Sequence, residues 1–350
     1  MTPSFWKDKK VLITGHTGFK GSWLSLWMQE LGSSVFGYAL EPSTSPNLFS
    51  EAKISNGMES YLADILDEKK LNSFMEETQP DIIFHMAAQP LVRESYKNPK
   101  DTFNTNIMGT VNLFESIRKT CTPRAVINVT TDKCYENKEW LWGYKETDPM
   151  GGHDPYSSSK GCSELITNAY RSSYFFNTNT AVASARAGNV IGGGDWSNDR
   201  LVPDIIRAFV NKETLNIRYP DAVRPWQHVL EPLNGYISLA EALYKDGQDY
   251  AEAWNFGPTD KDVVSVKHIV KYMSEHFNGS VNWGDGSTKN PHESQLLKLD
   301  ISKATARLDW MPKKNLTLSL NDTALWNEKF LAGECARKLC VNELNEFNKL

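Results

Sequence analysis

Short apolar runs alternate with longer amphipathic stretches over the first 190 residues. The runs are rich in β-branched residues, which is typical of buried strands, and they cover residues 11–15, 35–40, 82–88, 125–131 and 180–192. Between them, apolar residues recur at helical spacing in residues 19–31, 102–119 and 156–176. This alternation predicts a doubly wound α/β fold, in which helices cover both faces of a parallel sheet.

The alternation ends near residue 192. Segments 192–200 and 219–228 are rich in Gly, Pro and Trp and are predicted to be loops. Short helical stretches at 203–211, 233–244 and 266–276 predict a smaller mixed α/β lobe, and residues 316–350 predict a helical tail. We expect residues 1–190 to form the domain that carries the chemistry. Residues 191–350 would form the smaller lobe, and the chain can cross between the two.

The composition excludes several classes of protein. The sequence has 38 Lys+Arg against 43 Asp+Glu, a net charge of −5, and this argues against nucleic acid or anionic lipid as a partner. No apolar run approaches the roughly 20 residues that cross a bilayer, and the N-terminus does not resemble a secretion signal. The five cysteines show no metal-ligand spacing, which predicts reduced thiols and no metal site. We therefore expect a cytoplasmic enzyme.

A glycine-rich segment, Gly15-His16-Thr17-Gly18-Phe19-Lys20-Gly21, joins the first predicted strand to the first predicted helix. Backbone N–H groups and the helix dipole converge at such a turn, and this attracts a pyrophosphate. Glycines also collect in turns for steric reasons, but the position between strand and helix favours a dinucleotide site of the Rossmann type.

The choice of dinucleotide depends on the end of the second strand. Sites of this type usually place an acidic residue there to bind the adenosine ribose. Here the first acid is Glu41, so either Glu41 reaches back or the ribose is held differently. No arginine is present to bind a 2′-phosphate, which favours NAD over NADP. Asp64 is predicted either to contact the adenine edge or to begin a helix near Asp67.

Two further segments carry candidate catalytic groups. Tyr156 and Lys160 stand four residues apart on a predicted helix, so the phenol and the ammonium share a face. A neighbouring cation lowers the pKa of a tyrosine towards working pH, which would make it a base for an alcohol proton. Residues 130–133, Thr-Thr-Asp-Lys, follow a strand at the edge where substrate meets cofactor, although Thr and Asp also favour a helix N-cap.

The ordered motifs GHTGFKG, HMAAQ (85–89), NTNIMGT (104–110), TTDK and YSSSK resemble the extended short-chain dehydrogenase/reductase family. Within it the chain is similar to the nucleotide-sugar 4,6-dehydratases, from about residue 10 to 312. Thr-Asp-Lys replaces the Thr-Asp-Glu of the dTDP-glucose enzymes. In this substitution and in residues 192–196 and 224–228, the chain resembles the branch of the family that acts on CDP-D-glucose.

The resemblance implies a reaction that recycles NAD. C4 of the hexose is oxidised, water leaves across C5–C6, and hydride returns to C6. It implies that Tyr156 takes the C4 hydroxyl proton and that Lys160 assists it. Thr131 would bind the C4 oxygen, and Asp132 would protonate the departing C6 hydroxyl. The cofactor would contact Gly15, Thr17, Gly18, Phe19, Lys20, Gly21, Asp64, Ile65, Ala87, Ala88, Tyr156 and Lys160.

Lys133 occupies the position where the resemblance normally supplies a glutamate base for the C5 proton. An ammonium cannot accept a proton, but burial and neighbouring cations can depress the pKa of a lysine. We favour Lys133 as the base. The alternative is that Lys133 stabilises the enolate by charge and that another group moves the proton.

The substrate contacts are implied in the same way. Arg224 matches a phosphate-binding arginine, although a surface salt bridge is the commoner fate of this residue type. Asn189 matches a second phosphate ligand, and Asn106 matches a residue that supports the catalytic tyrosine. The nucleotide base is expected near Leu201, Val202, Arg207 and Tyr219.

Other interpretations remain open. An NDP-sugar 4-epimerase would share the cofactor and the Tyr156/Lys160 pair, and a dehydratase could act on another NDP-hexose. A redox-sensing binding protein would be expected to lose that pair. The resemblance also implies a homodimer or a dimer of dimers through helices 102–119 and 156–176, and a role in deoxysugar biosynthesis such as that of lipopolysaccharide O-antigen.

Overall fold

The computed structural model describes residues 2–277, 279–284 and 296–350. The predicted smaller lobe therefore includes a segment that lies outside the described residues. The strands are β1 (Lys10–Thr14), β2 (Ser34–Ala39), β3 (Glu59–Leu62), β4 (Ile82–His85), β5 (Ala125–Val129), β6 (Ala181–Ala187), β7 (Asn189–Ile191), β8 (Leu215–Ile217), β9 (Val223–His228), β10 (Ala253–Phe256), β11 (Val263–Ser265) and β12 (Val281–Trp283).

Helices fill most of the remaining chain. They are α1 (Pro3–Trp6), α2 (Phe19–Glu30), α3 (Leu48–Glu51), α4 (Glu68–Thr78), α5 (Val92–Lys97), α6 (Pro99–Phe103), α7 (Gly109–Thr120), α8 (Pro155–Tyr170), α9 (Leu201–Val210), α10 (Leu230–Asp246), α11 (Val266–Phe277), α12 (Ser302–Leu308), α13 (Leu316–Leu331) and α14 (Ala336–Lys349). Short 3-10 turns cover Ile54–Gly57, Asp132–Cys134, Gly247–Tyr250 and Asp260–Asp262, and π-helical turns cover Asn104–Met108 and Arg171–Phe175. Within the described ranges, every helix is too short or too polar to span a lipid bilayer.

The main sheet has the strand order β10-β6-β5-β4-β1-β2-β3, and its neighbouring strands run parallel. All residues of β4, β5 and β6 are buried, as expected for strands covered on both faces. The prediction of a doubly wound α/β fold is confirmed. The strand register brings the ends of β1, β4 and β5 to one edge, because Thr14 pairs with His85 and His85 pairs with Asn128.

The chain returns to the main sheet after residue 190. Strand β10 extends the sheet beside β6, and α10 packs on β5 and β6. The helix predicted at 233–244 therefore lies in the main α/β layer. Apolar side chains of α10 join the same core as those of β1 and β5. The division into domains at residue 190 remains a prediction. The structure identifies β10 and α10 as the elements with which the chain crosses back to the main sheet.

The smaller lobe has its own core, which contains Ile205, Ile217 and Leu320. Here β9 pairs with β7 and β11, and β8 pairs with β12. The prediction that segment 219–228 is a loop was wrong, because Val223–His228 forms β9. Pro225 discouraged a strand assignment, but pairing with two neighbouring strands stabilises the extended backbone. The predicted strand 180–192 is also divided, and Gly188 separates β6 from β7.

Candidate active site

A large cleft opens at the carboxyl ends of β1, β4 and β5. Its volume is about 1380 Å³, and the smaller lobe forms its opposite wall. Most of the residues predicted from the sequence line this one cavity. They are Gly15, Thr17, Gly18, Phe19, Lys20, Gly21, Asp64, Ile65, Ala87, Ala88, Thr131, Lys133, Tyr156, Lys160, Asn189, Leu201, Val202, Tyr219 and Arg224.

Asp132 and Arg207 are not among the residues that line the cavity. Asp132 is 1% exposed, and its Oδ2 has no hydrogen-bond partner among the described residues. Arg207 instead pairs with Asp204 at 2.7 Å and donates to the carbonyl oxygen of Trp196 at 3.1 Å. That Arg207 contacts the nucleotide base stays a prediction. In the structure its side chain pairs with Asp204, one helical turn earlier, and Asp204 itself lines the cavity.

The glycine-rich turn is shaped by close backbone contacts. Gly15 has φ +74°, and a Cβ there would lie 2.7 Å from the amide nitrogen of Ala87. A Cβ on Gly21 would lie 2.1 Å from the carbonyl oxygen of Gly15. Gly18 caps α2 and offers no side chain to its first-turn N–H groups. The helix end is therefore open to an anion from the cavity.

The outer end of this loop faces the end of β2. Thr17 Oγ1 donates to the carbonyl oxygen of Leu40 at 2.8 Å, which ties the loop to the strand. Glu41 and Asp64 both line the cavity here. Asp64 Oδ1 accepts from the backbone N–H of Leu66 at 2.9 Å, whereas Asp67 caps α4. Asp64 is thus a loop residue at the cavity, and the helix cap belongs to Asp67.

Lys20 brings a charge from the glycine-rich loop into the catalytic region. Burial lowers the pKa of Lys20 to about 7, and the positive charge of Arg200 acts in the same direction. Its Nζ lies 5.9 Å from the centre of the Tyr236 ring. Asp132 partly opposes the lowering of the pKa. The sequence indicated a cofactor contact at Lys20, and the structure adds its proximity to the catalytic charges.

Tyr156 and Lys160 lie on the buried face of α8, whose first turn is capped by Asp154. Burial raises the pKa of Tyr156 to about 12, and a hydrogen bond with Thr131 acts in the opposite direction. Lys160 Nζ donates to the carbonyl oxygen of Val129 at 3.2 Å, and burial lowers the pKa of Lys160 to about 8. Burial therefore outweighs the influences that lower the Tyr156 pKa, and the expected shift towards working pH is not found.

The Thr131–Asp132–Lys133 segment forms a tight turn after β5. Thr131 Oγ1 accepts from the backbone N–H of Lys133 at 3.4 Å, so it does cap the turn, as the alternative interpretation proposed. The same residue lines the cavity beside Tyr156. Lys133 Nζ lies 3.3 Å from Asp132 Oδ1 and 3.4 Å from Asn189 Oδ1. The turn therefore brings an ammonium, a carboxylate and a hydroxyl together next to the phenol.

Asn106 connects the π-helical turn before α7 to α8. Its Nδ2 donates to Ser159 Oγ at 2.8 Å, and Ser159 Oγ donates to the carbonyl oxygen of Tyr156 at 2.7 Å. Its Oδ1 accepts from the backbone N–H of Gln89 at 2.8 Å. Asn106 thus holds the backbone that carries Tyr156, and in this structure it does not contact the phenol directly.

Arg224 lies on β9 in the opposite wall, is 5% exposed and lines the cavity. Its Nη1 donates to the carbonyl oxygen of Val223 at 2.8 Å. Asn189, which begins β7, pairs in register with Trp226 of β9. The two residues therefore belong to one sheet, which faces the Thr131–Asp132–Lys133 turn, called the catalytic turn below for its proposed role.

A buried ion pair behind the Thr131–Asp132–Lys133 turn was not predicted from the sequence. Glu164 Oε2 lies 2.8 Å from Arg186 Nη2, and each side chain is 4% exposed. Two signals were available. Glu164 follows Lys160 by one helical turn, and Arg186 interrupts the apolar run of β6.

Known proteins resemble this chain over nearly its whole length. A CDP-glucose 4,6-dehydratase of Salmonella typhimurium is 51% identical over 349 residues, which cover 98% of this chain and 97% of that protein. A UDP-glucose 4-epimerase of Mycoplasma genitalium is 26% identical and covers 92% of this chain and 97% of its own length. Among solved structures, the dTDP-glucose 4,6-dehydratase of Bacillus anthracis in complex with NAD shares the fold. Its TM-score is 0.75 at 22% identity, with 92% of this chain and 97% of that chain covered.

The predicted resemblance to nucleotide-sugar 4,6-dehydratases is confirmed by a family match. The family model described as GDP-mannose 4,6 dehydratase spans residues 12–323, from β1 into α13. That range includes the glycine-rich turn, the catalytic turn, α8 and the β9 wall. The chain therefore belongs to the GDP-mannose 4,6-dehydratase family.

Proposed function

We propose that this chain is an NAD-dependent lyase that converts CDP-D-glucose to CDP-4-keto-6-deoxy-D-glucose. The observation that carries the proposal is the cavity in which the Tyr156–Lys160 pair meets the Thr131–Asp132–Lys133 turn. A tyrosine–lysine pair by itself suits many oxidations of a sugar hydroxyl, whereas the added acid–base groups suit elimination of water. The 51% identity to a CDP-glucose 4,6-dehydratase supports this nucleotide and this reaction.

The residues of the glycine-rich turn fit NAD. The glycines pack closely against the protein backbone and line the cavity, and no side chain of the cap competes for the α2 N–H groups. When bound, NAD would accept the hydride from C4 and donate it to C6. The residues that would hold it are Gly15, Thr17, Gly18, Phe19, Lys20, Gly21, Asp64, Ile65, Ala87, Ala88, Tyr156 and Lys160.

Tyr156 is the proposed base for the C4 hydroxyl. Its phenol oxygen must lose a proton before it can accept one, and burial opposes this by raising the pKa to about 12. The Thr131 hydrogen bond favours the phenolate. Lys160 would add a positive charge near the phenol and bind the nicotinamide ribose. Thr131, which forms a hydrogen bond with Tyr156, would orient the C4 oxygen of the sugar.

Lys133 is the proposed base for the C5 proton. An amine must be neutral to accept a proton, and Lys133 lines the cavity with its Nζ beside Asp132 and Asn189. Asp132 is the proposed acid for the C6 hydroxyl. Its carboxylate lies behind Lys133, at 3.3 Å from Nζ, so a proton can pass between the two groups. If Lys133 acts only by charge, it would stabilise the enolate at the same position.

Arg224 and Asn189 are the proposed ligands of the substrate pyrophosphate. A guanidinium can bind two phosphate oxygens at once, and the buried position on β9 limits competition from water. Leu201, Val202 and Tyr219 line the adjoining part of the cavity and are the proposed neighbours of the cytosine base. Arg207, which pairs with the lining residue Asp204, stays a proposed further neighbour of the base.

A homodimer, or a dimer of dimers, is the proposed quaternary state. Met108 and Leu165 are 46% and 59% exposed on the segments predicted to form the interface. Apolar side chains of this size at helical spacing are typical of helix–helix contacts between subunits. We further propose a cytoplasmic location and a role in deoxysugar biosynthesis such as that of lipopolysaccharide O-antigen.

The deciding experiment offers NAD⁺ and each of CDP-, dTDP-, UDP- and GDP-hexose to the purified protein. The expected result is turnover of CDP-glucose to a 4-keto-6-deoxy product, which absorbs near-ultraviolet light in alkali. Turnover of dTDP-glucose would contradict the nucleotide assignment, but it would leave the assignment of the reaction class intact. A C4 epimer without the alkaline absorbance would instead support an NDP-sugar 4-epimerase.

A further inference from the structure

A buried ion pair lies directly behind the catalytic turn. Glu164 on α8 accepts from Arg186 Nη2 at 2.8 Å and from Ser184 Oγ at 2.6 Å, and it also accepts from Thr130 Oγ1. Burial opposes ionisation of Glu164, but Arg186 and these hydrogen bonds hold its pKa below the usual value. The carboxylate is therefore charged inside the protein, at a considerable desolvation cost.

The pair contacts the catalytic turn at both of its ends. Thr130 immediately precedes the turn, and its hydroxyl is held by Glu164. Tyr135 follows the turn, and its hydroxyl accepts from Arg186 Nη1 at 2.6 Å. Tyr135 in turn donates to Asn255 Oδ1 of β10 at 2.8 Å. The backbone that presents Thr131 and Lys133 is thus fixed on each side by one ion pair.

Glu164 also shares a helix face with the catalytic pair. Tyr156, Lys160 and Glu164 follow one another at intervals of one turn on α8. Burial lowers the pKa of Lys160 to about 8, and the negative charge of Glu164 is the larger of the opposing influences. The Cys134 thiol of the turn acts in the same direction as Glu164. The other titratable groups facing Lys160 are Lys20 of α2 and His85 of β4.

We propose that Glu164 and Arg186 are positioning residues that fix the catalytic turn against α8 and balance the charge of Lys160. This role rests on the proposed dehydratase activity. Neither side chain lines the cavity, so the pair acts through Thr130, Tyr135 and Lys160. Such an arrangement matters because small displacements between catalytic groups are costly to the rate.

The first test compares two variants with a control. Glu164→Gln keeps the shape of the side chain and removes its charge, which leaves Arg186 buried without a counter-charge. Glu164→Met/Arg186→Met removes both charges and is expected to fold, because buried ion pairs are often replaceable by apolar residues. In both variants kcat for CDP-glucose should fall about 100-fold, with KM changed less than about threefold. Glu241→Gln alters a buried carboxylate that accepts from Trp6 Nε1, outside the lining of the cavity, and should retain kcat.

The second test measures the titration of Lys160 directly by ¹³C NMR of labelled lysines, with Lys160→Arg to assign the signal. In Glu164→Gln the midpoint should lie about one pH unit below that of the original protein, because a nearby negative charge is lost and the positive charge of Arg186 stays. In the double variant the midpoint should shift less, because both charges are lost. If Glu164→Gln does not fold, the kcat of the double variant decides the positioning role. An unchanged midpoint in folded Glu164→Gln, or a folded double variant with undiminished kcat, would overturn the proposal.

The two tests separate this proposal from the proposed function. Should the original protein fail to convert CDP-glucose, the dehydratase assignment fails. The Lys160 titration needs no turnover and still decides whether Glu164 balances its charge.

Discussion

The ionisable residues of the cavity depend on one another. Lys20, Lys133 and Lys160 are close enough for their charges to interact, and Asp132 lies among them. Burial lowers the pKa of Lys20 to about 7 and that of Lys160 to about 8. An excess of positive charge in a buried site favours anionic ligands, and the pyrophosphates of a dinucleotide and of a nucleotide sugar are such ligands.

Replacement of Lys133 by Met is the sharpest test at the scale of single residues. Methionine has neither the charged ammonium nor the neutral amine that could accept a proton, whereas Tyr156 and Lys160 stay in place. We expect C4 oxidation to continue and dehydration to slow by about 10²- to 10⁴-fold, the range typical of a general base. Mass spectrometry after a single turnover in D₂O should detect a 4-keto hexose without deuterium at C5.

Lys145→Met, at an exposed lysine outside the cavity, is the matched control. A Lys133→Glu variant of unchanged rate would remove the amine from the mechanism.

At the scale of elements, α8 carries two of the proposed catalytic residues, Tyr156 and Lys160, and packs them against the sheet. Its first turn carries Tyr156, the next carries Lys160, and the one after that carries Glu164. The parallel sheet supplies the opposite partners, because β5 ends at the catalytic turn and β6 carries Arg186. A displacement of α8 along its axis would therefore separate all of these contacts together.

The fit between α2 and the glycine-rich turn gives a prediction with an internal comparison. In Gly21→Ala the new Cβ would lie 2.1 Å from the carbonyl oxygen of Gly15, so α2 must move. In Gly18→Ala the Cβ lies 3.4 Å from that oxygen. We expect Gly21→Ala to lose about 1–3 kcal/mol of unfolding free energy and to bind NAD more weakly, with a smaller stability loss in Gly18→Ala. Chemical denaturation and NAD titration measure the two effects. Equal stability of both variants would contradict the steric argument.

At the scale of the whole molecule, the two walls of the cavity are joined by chain crossings and by side chains. Strand β10 and α10 return from the smaller lobe to the main sheet. At the mouth of the cavity, Arg93 Nη1 lies 2.7 Å from Asp199 Oδ1, and both side chains are partly exposed. Surface pairs of this kind add little stability, so the crossings hold the walls together.

Buried histidines make the stability of the fold sensitive to acid. Burial lowers the pKa of His85 to about 3. The unfolded chain binds this proton near pH 6.5 and the folded chain does not, so unfolding takes up a proton between pH 6.5 and 3. The unfolding free energy should therefore decrease as the pH falls from 6.5 to 5, by about 2 kcal/mol for His85. Urea denaturation at several pH values measures it. His85→Gln should reduce the slope, whereas His268→Gln, at an exposed site, should leave it unchanged.

The proposed subunit interface is tested by a charge on its exposed apolar face. Leu165→Glu places a carboxylate where α8 would meet a second subunit, and burying that charge would be unfavourable. We expect the variant to sediment as a monomer at micromolar concentration, while the original protein sediments as a dimer or tetramer. Leu331→Glu alters a similarly exposed leucine at the end of α13 and should leave the assembly intact. Dimers of Leu165→Glu would contradict the interface.

Much of the candidate site was predictable because its residues stand at fixed offsets from strongly patterned elements. Gly15 follows a buried strand, Lys133 follows another, and Tyr156 opens an amphipathic helix. Parallel topology then brings them to one edge of the sheet. The pairing of Arg207 with Asp204 follows from helical spacing, whereas its contact with the nucleotide base stays a prediction. Strand β9 was missed because its pairing partners lie far away in the chain.

The sequence by itself determined the doubly wound fold, the dinucleotide turn and the chemical types of the proposed catalytic groups, since periodicity and motif spacing are local properties. Tertiary structure decided the charge balance. Burial raises the pKa of Tyr156 and lowers that of Lys160, and Glu164 reaches Thr130 only after α8 has packed on β5. The desolvation of a charge depends on everything that packs around it, and a linear pattern of residues does not specify that surrounding.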